Sequence, residues 1–163
     1  MDIRHATEAD LPAILAITND AILNTTSSWN VHPTTLEARH QWLLDRQGAQ
    51  LPVLVGVIDG VVAGFGSYGS FRAWDGYRLT VEHSIYVDGT FRRRGVGRLL
   101  LAALIDHATE ARMHVMMGVI SADNEISIAL HEQFGFAIVG RLPEVGRKFD
   151  RWLDLVLMQK MLT

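Results

Sequence analysis

The stretch that decides the fold runs Val81-Glu82-His83-Ser84-Ile85-Tyr86-Val87-Asp88-Gly89-Thr90-Phe91-Arg92-Arg93-Arg94-Gly95-Val96-Gly97-Arg98-Leu99-Leu100-Leu101. Its β-branched and aromatic head predicts a strand over Thr80 to Val87. From Gly95 to Glu110 the apolar residues Val96, Leu99, Leu100, Ala103 and, with them, His107 recur at helical spacing. Between the two lies the turn Arg92-Arg93-Arg94-Gly95-Val96-Gly97. A helix N-terminus presents unpaired N–H groups and a partial positive charge, and glycines let an anion reach the backbone. Arginines beside it add charge-assisted hydrogen bonds. Strand, arginine–glycine turn and helix together predict a polyphosphate site. The Walker pattern is absent, because no Gly-Lys-Ser/Thr follows, and Leu100 stands where a dinucleotide fingerprint has its third glycine. Taken alone, the Gly-x-Gly turn reads rather as an arginine-rich cap on an ordinary helix.

Working outward, the upstream half supplies the rest of an α/β chain. Residues 2–5 read as a first strand, and Leu11, Ile14, Leu15, Thr18 and Ile22 mark a helix. That helix starts either from a Thr7–Asp10 capping box or, given Pro12, from Asp10 as cap. Residues 24–33 read as a loop holding Trp29, and Thr34 to Glu37 as the capping box of a second helix ended by Gly48. Pro52 to Ile58 and Val61 to Tyr68 form a hairpin around Asp59-Gly60, and Gly69 to Leu79 is a polar aromatic loop.

Downstream, Val115 to Ile120 is a strand and Asn124 to Phe134 a helix closed by Gly135. Phe136 to Gly140 and Trp152 to Met161 are the last strands. The order β-α-α-β-β-β-α-β-α-β-β describes one α/β domain over residues 1–163, a mixed sheet with helices on both faces.

Composition removes several classes of function. The chain has 163 residues, 48% hydrophobic and 20% charged, which suits one globular domain rather than a disordered segment. A net charge of −3 argues against a broad nucleic-acid or anionic-membrane surface. No cysteine is present, so thiolate nucleophiles, disulfides and Cys-ligated metals are excluded. The opening Met1-Asp2-Ile3-Arg4 has no apolar signal region, and a cytoplasmic protein is expected. No apolar run approaches the ~20 residues that span a bilayer. No metal is expected: the histidines are scattered, and His131-Glu132 lacks a histidine at position 135.

A second motif lies downstream: Asn124-Glu125-Ile126-Ser127, then Leu130-His131-Glu132-Gln133-Phe134-Gly135-Phe136. R-x-x-G-x-G after a strand, followed by N-x-x-S and a Gly-Phe, resembles the GNAT N-acetyltransferase superfamily across essentially the whole chain. The segments Thr80 to Val87, Leu130-His131-Glu132, Gly146 to Asp154 and Phe71 to Arg78 resemble a narrower branch, the phosphinothricin and methionine sulfoximine acetyltransferases.

The resemblance implies acetyl-CoA as co-substrate and no metal. It assigns the backbone of Ile85, Tyr86 and Val87 to the pantetheine arm, with the Val87 N–H toward the thioester oxygen. Arg93, Arg94, Gly95, Val96, Gly97 and Arg98 would hold the pyrophosphate, and Asn124 would fix the cofactor while also capping its helix. An amine acceptor must lose a proton, and Glu82 is the candidate base. His131 stands where many relatives of the superfamily have a tyrosine acid. Its imidazole would protonate the leaving thiolate or assist Glu82. Arg72, Ala73 and Trp74, with Glu82, His83 and Ser84, would bind the acceptor. Trp29, Tyr77, Lys148 and Phe149 could shape its walls, from this subunit or a second.

The implied reaction is direct acetyl transfer in a ternary complex to the amino group of a small amino-acid analogue, in a homodimer. Three alternatives stay open: an acetyltransferase for a protein N-terminus, polyamine or aminoglycoside; a non-catalytic acyl-CoA sensor; and an arginine-driven RNA-binding module, which would bind with strong salt dependence.

Overall fold

A computed structural model describes all residues, Met1–Thr163. The strands are β1 (Asp2–His5), β2 (Val53–Ile58), β3 (Val61–Ser70), β4 (Thr80–Val87), β5 (Val115–Ser121), β6 (Ala137–Lys148) and β7 (Arg151–Met161). The helices are α1 (Leu11–Asn24), α2 (Leu36–Gly48), α3 (Val96–Glu110) and α4 (Glu125–Gln133). All seven strands join one sheet in the order β1-β2-β3-β4-β5-β7-β6. Every pairing is antiparallel except β4 with β5. The α/β mixed sheet expected from the element order is the fold.

The sheet carries a core on each face. Val81, Val96, Leu100, Leu101, Leu104, Met116 and Val156 belong to the larger one, under α3. Leu11, Ile14, Ile17, Leu43, Val55 and Phe65 form the smaller, under α1 and α2. The buried stripe of α3 is Val96, Leu100, Leu101, Leu104 and Ala108, whereas Leu99 is exposed. The expected face, which included Leu99, is thus turned slightly. Helix α3 lies close on the sheet because β3 offers it no side chain at Gly64. A Cβ there would stand 2.8 Å from the Tyr86 carbonyl and 2.9 Å from a Val96 methyl.

Three boundaries differ from expectation. Thr35, not Thr34, caps α2, its hydroxyl accepting from Ala38 N–H. Thr34 is instead held by both backbone groups to the Asn19 side chain. At α1 both expected starts occur in sequence. Asp10 accepts the Thr7 N–H at 2.8 Å and closes a short 3₁₀ turn, Glu8–Asp10, and α1 begins directly after it. Arg4 grips the same carboxylate with two bonds of 2.8 and 2.9 Å.

The largest difference is β6, expected to stop at Gly140 but running to Lys148. Register shifts between Ile138 and Gly140 and between Leu142 and Gly146 absorb Pro143 as bulges. The strand then reverses at Phe149 and Asp150, with φ of 52° and 56°. Two successive left-handed residues make a tight hairpin whose twist matches the strands.

Candidate active site

The parallel pair β4–β5 opens partway along its length. Pairing runs from Thr80↔Val115 to His83↔Gly118 and ends there, although β4 continues to Val87 and β5 to Ser121. On its other side β4 stays bonded to β3 through Gly64↔Val87. The Asp88 N–H donates to the Ala63 carbonyl at 2.9 Å. Antiparallel bonding alternates along a strand. The even residues of β4 therefore bond to β3, and the backbone groups of Ile85 and Val87 face the opened gap. Of the three residues expected to offer backbone here, Ile85 and Val87 do so. Tyr86 turns its backbone to β3 and contributes its side chain.

A cavity of about 420 Å³ occupies the gap. Glu82, His83, Ser84, Ile85, Tyr86, Asn124 and His131 line it, so both candidate catalytic residues meet there with part of the cofactor and acceptor sets, while Val87 and Arg93 to Arg98 lie outside its wall. Loop residues Thr26 to Asn30 close one wall. After β4, Gly95 adopts φ 81° immediately before α3. A Cβ on Gly95 would meet nothing within 4 Å, and one on Gly97 only ordinary contacts with Val87 and Leu130. Packing within the chain does not require glycine at 97, whereas close approach of a phosphate to the helix N-terminus does. Arg93 and Arg94 are exposed beside this turn, and Arg98 hydrogen-bonds Gln133 at 2.8 Å.

Side chains alternate across the sheet. Glu82, Ser84 and Tyr86 project toward the face of α1 and α2; His83, Ile85 and Val87 project toward α3 and α4. Burial raises the Glu82 carboxyl above its usual range, and the positive charge of Arg72 partly opposes this. A carboxyl raised in this way holds a proton more strongly than a free carboxylate, which suits a proton acceptor.

On the opposite face His131 and His83 form a buried pair, Nε2 to Nε2 at 3.0 Å, with rings 7° from parallel. His131 Nδ1 lies 2.6 Å from the Ser127 carbonyl, which can only accept, so the Nδ1 carries hydrogen. A neutral His131 then accepts at Nε2, and the His83 Nε2–H donates. Burial, then the neighbouring His131, holds His83 down to about 3; burial also lowers His131, against the Ser127 bond. Both rings are therefore neutral at physiological pH. His83 was expected to line the site through backbone groups; its side chain also has this partner.

Asn124 caps α4, one of the two roles expected of it. Its Oδ1 accepts the Ser127 N–H at 3.2 Å as the α4 cap, leaving its amide N–H₂ free to donate. Arg72, Ala73 and Trp74 are not in the cavity wall. They sit on the exposed β3–β4 loop, with Trp74 79% exposed and the Arg72 guanidinium over Phe71. Arg72 reaches the site through its charge on Glu82.

The sequence pointed to Trp29 and Lys148 as wall residues but not to their partners. Lys148 is buried, and its Nζ donates to the carbonyls of Thr25 and Ser28, so it pins the cavity wall from within the chain. Trp29 lies against Gly146, where a Cβ would collide with its ring. No group of three or more His, Asp or Glu side chains lies placed to hold a metal ion, and no helix is long and apolar enough to cross a membrane.

A sheet that splays between two parallel strands, with a glycine-headed helix following the first of them and a half-buried carboxyl in the gap, is the arrangement of an acyl-CoA-dependent transferase. Residues 3–157 match the acetyltransferase (GNAT) domain family. The L-methionine sulfoximine/L-methionine sulfone acetyltransferase of Pseudomonas aeruginosa is 49% identical over 158 residues, covering 96% of this chain and 92% of that protein. A crystal structure named ribosomal-protein-alanine N-acetyltransferase, from Brucella melitensis, is 52% identical with a TM-score of 0.97, covering 99% of each chain. A phosphinothricin acetyltransferase of Sinorhizobium meliloti, solved with acetyl-CoA, is 32% identical with a TM-score of 0.96, covering 98% of this chain and 87% of that one. This chain belongs to the GNAT family and is an acetyl-CoA-dependent N-acetyltransferase.

Proposed function

We propose that the acceptor is a small amino acid with a tetrahedral, oxygen-bearing side-chain head, of the methionine sulfone, methionine sulfoximine or phosphinothricin kind. The observation that carries this reading is the cavity, small and walled by residues 26–30, with the raised carboxyl of Glu82 inside it. The names of the Pseudomonas and Sinorhizobium relatives point the same way.

Acetyl-CoA supplies the activated acetyl group. The Val87 N–H donates to the thioester oxygen, stabilising charge as it grows there. Gly95 to Arg98, with Arg93 and Arg94, hold the pyrophosphate, and the Asn124 amide fixes the cofactor arm. The acceptor arrives as an ammonium on the Glu82 face, and Glu82 takes its proton, directly or through water. The free amine forms the N–C bond while the C–S bond breaks, and the nitrogen sheds a second proton. Arg72 draws the acceptor's α-carboxylate toward Glu82. His131 lies on the opposite face; its Nε2 takes up, through water, the second proton shed by the nitrogen and passes it to the departing thiolate. To do so its Nε2 must exchange the His83 bond for a proton. The exposed aromatic side chains Trp74, Tyr77, Phe149 and Trp152 suit burial against a second copy of the chain, in a homodimer. The absence of cysteine fits a reducing, cytoplasmic setting.

A second reading, acetylation of a protein's N-terminal alanine, follows the name of the Brucella relative. Coenzyme A release distinguishes the two, measured with methionine sulfone, methionine sulfoximine, phosphinothricin, methionine, spermidine and an alanine-led peptide. Turnover confined to the tetrahedral-headed amino acids is expected. Turnover of the peptide alone would overturn the acceptor reading and leave the transferase chemistry intact.

A further inference from the structure

A second cavity, of about 380 Å³, adjoins the first on the face of α1 and α2. The two share Ser28, Asn30, Ser84 and Tyr86. Arg39, Trp42 and Phe65 also line the second cavity, together with small polar residues, and no carboxylate does. Arg39 is the unusual member. It is half-buried, its Nε is enclosed without a hydrogen-bond partner, and the four ion pairs of the chain all lie elsewhere. Its guanidinium carbon stands 4.6 Å over the Trp42 ring. The neighbouring Arg46, near the same ring, adds a second positive charge rather than a counter-ion.

Buried arginines are ordinarily paired, because desolvating a guanidinium without acceptors is costly. Here the guanidinium lies over an aromatic ring with its enclosed Nε–H unpartnered. That arrangement fits a ligand with two acceptor oxygens, such as a carboxylate, phosphinate or sulfone.

Resting on the amino-acid acceptor proposed above, we infer that Arg39 anchors the acceptor's side-chain head. The amine sits at Glu82 and Ser84 and the tail runs past Tyr86 into this cavity. From Ser84 to Tyr86 the strand advances about 7 Å. An α-carboxylate, bonded beside the amine-bearing carbon, cannot cover that distance, whereas an extended γ-substituent can. The two cations divide the work: Arg72 serves the α-carboxylate and Arg39 the head, with preference for a charged one.

The test compares wild type with Arg39→Met, which keeps a stem over Trp42, and Arg39→Lys, which keeps the charge without the fork. Steady-state kinetics are measured with phosphinothricin (anionic head), methionine sulfone (neutral, two oxygens) and norleucine (no head oxygens). Unchanged KM for acetyl-CoA and an unchanged urea midpoint establish that each variant is folded. For Arg39→Met, kcat/KM for phosphinothricin relative to norleucine is expected to fall at least tenfold through KM. Methionine sulfone should fall less, and Arg39→Lys should lie between. An unaltered ratio, or an equal loss on all three acceptors, overturns the inference and leaves the amino-acid reading standing. Failure of wild type to acetylate any amino acid overturns both.

Discussion

At the scale of single residues, the site places a carboxyl raised by burial and a pair of neutral imidazoles on opposite faces of one strand. Glu82 and His83 are neighbours in sequence, yet their side chains act on different faces. If Glu82 accepts the acceptor's proton, Glu82→Gln should lower kcat about 10²–10⁴-fold with little change in acetyl-CoA affinity, read by turnover alongside a direct binding titration. Full activity of that variant at and below neutral pH would remove Glu82 as the base. The histidine pair makes a separate prediction about stability. Histidine's unfolded value is near 6.5, and His83 is held down to about 3 in the fold. The unfolded chain therefore binds the extra proton first as pH falls. The stabilising contribution is complete above pH 6.5 and declines by up to about 1.4 kcal/mol per pH unit for one such group toward pH 3. Urea midpoints at pH 7 and pH 5 should differ more in wild type than in His83→Gln. Equal differences would mean that the pair is not neutral. Glu82 and His131 were both visible in the sequence as candidates. The bond from His83 to His131 was not, because 48 positions separate them and only the parallel register of β4 on β5, with α4 above, brings them together.

At the scale of elements, the wall of the active cleft is a loop held by a hairpin distant in sequence. Lys148 donates to two loop carbonyls, Trp29 packs on Gly146, and Thr26 donates to Asp123, which also pairs with Arg151 at 2.7 Å. Lys148→Met leaves the carbonyls of Thr25 and Ser28 without their donor. It should cost about 1–3 kcal/mol in urea unfolding and raise KM for the acceptor more than for acetyl-CoA. A variant with unchanged midpoint and KM would show that the loop holds its shape without the lysine. The first hairpin was legible because Asp59-Gly60 is turn chemistry, whereas the second reverses at Phe149-Asp150. Phenylalanine carries no turn signal, and Pro143 reads as a strand breaker until bulges accommodate it. The part of β6 beyond Gly140 and its bonds to the loop were therefore hidden. Capping of α2 failed by one residue for a similar reason: Thr34 and Thr35 are locally equivalent, and the distant Asn19 decides between them.

At the scale of the whole molecule, a mixed sheet with helices on both faces was legible in the element order, while the strand order and the splay were not, since they depend on pairings across the sheet and on where that between β4 and β5 stops. The opening makes the sheet a partition with one window. The residues proposed for the donor, at Val87, Asn124 and α3, adjoin the larger core; those proposed for the acceptor, at Glu82, Ser84 and Arg39, adjoin the smaller. Substitutions that redirect acceptor choice should therefore fall on α1, α2, the following loop and the even residues of β4, leaving KM for acetyl-CoA within about twofold of its starting value. A selection for activity on new amines, sequenced and assayed for both substrates, checks this. Enrichment of changes on α3 and α4 would refute it. The window has an inheritance-like consequence: one half of the protein can keep a fixed currency while the other half changes customers, so a lineage can acquire new acceptors without relearning how to hold the donor.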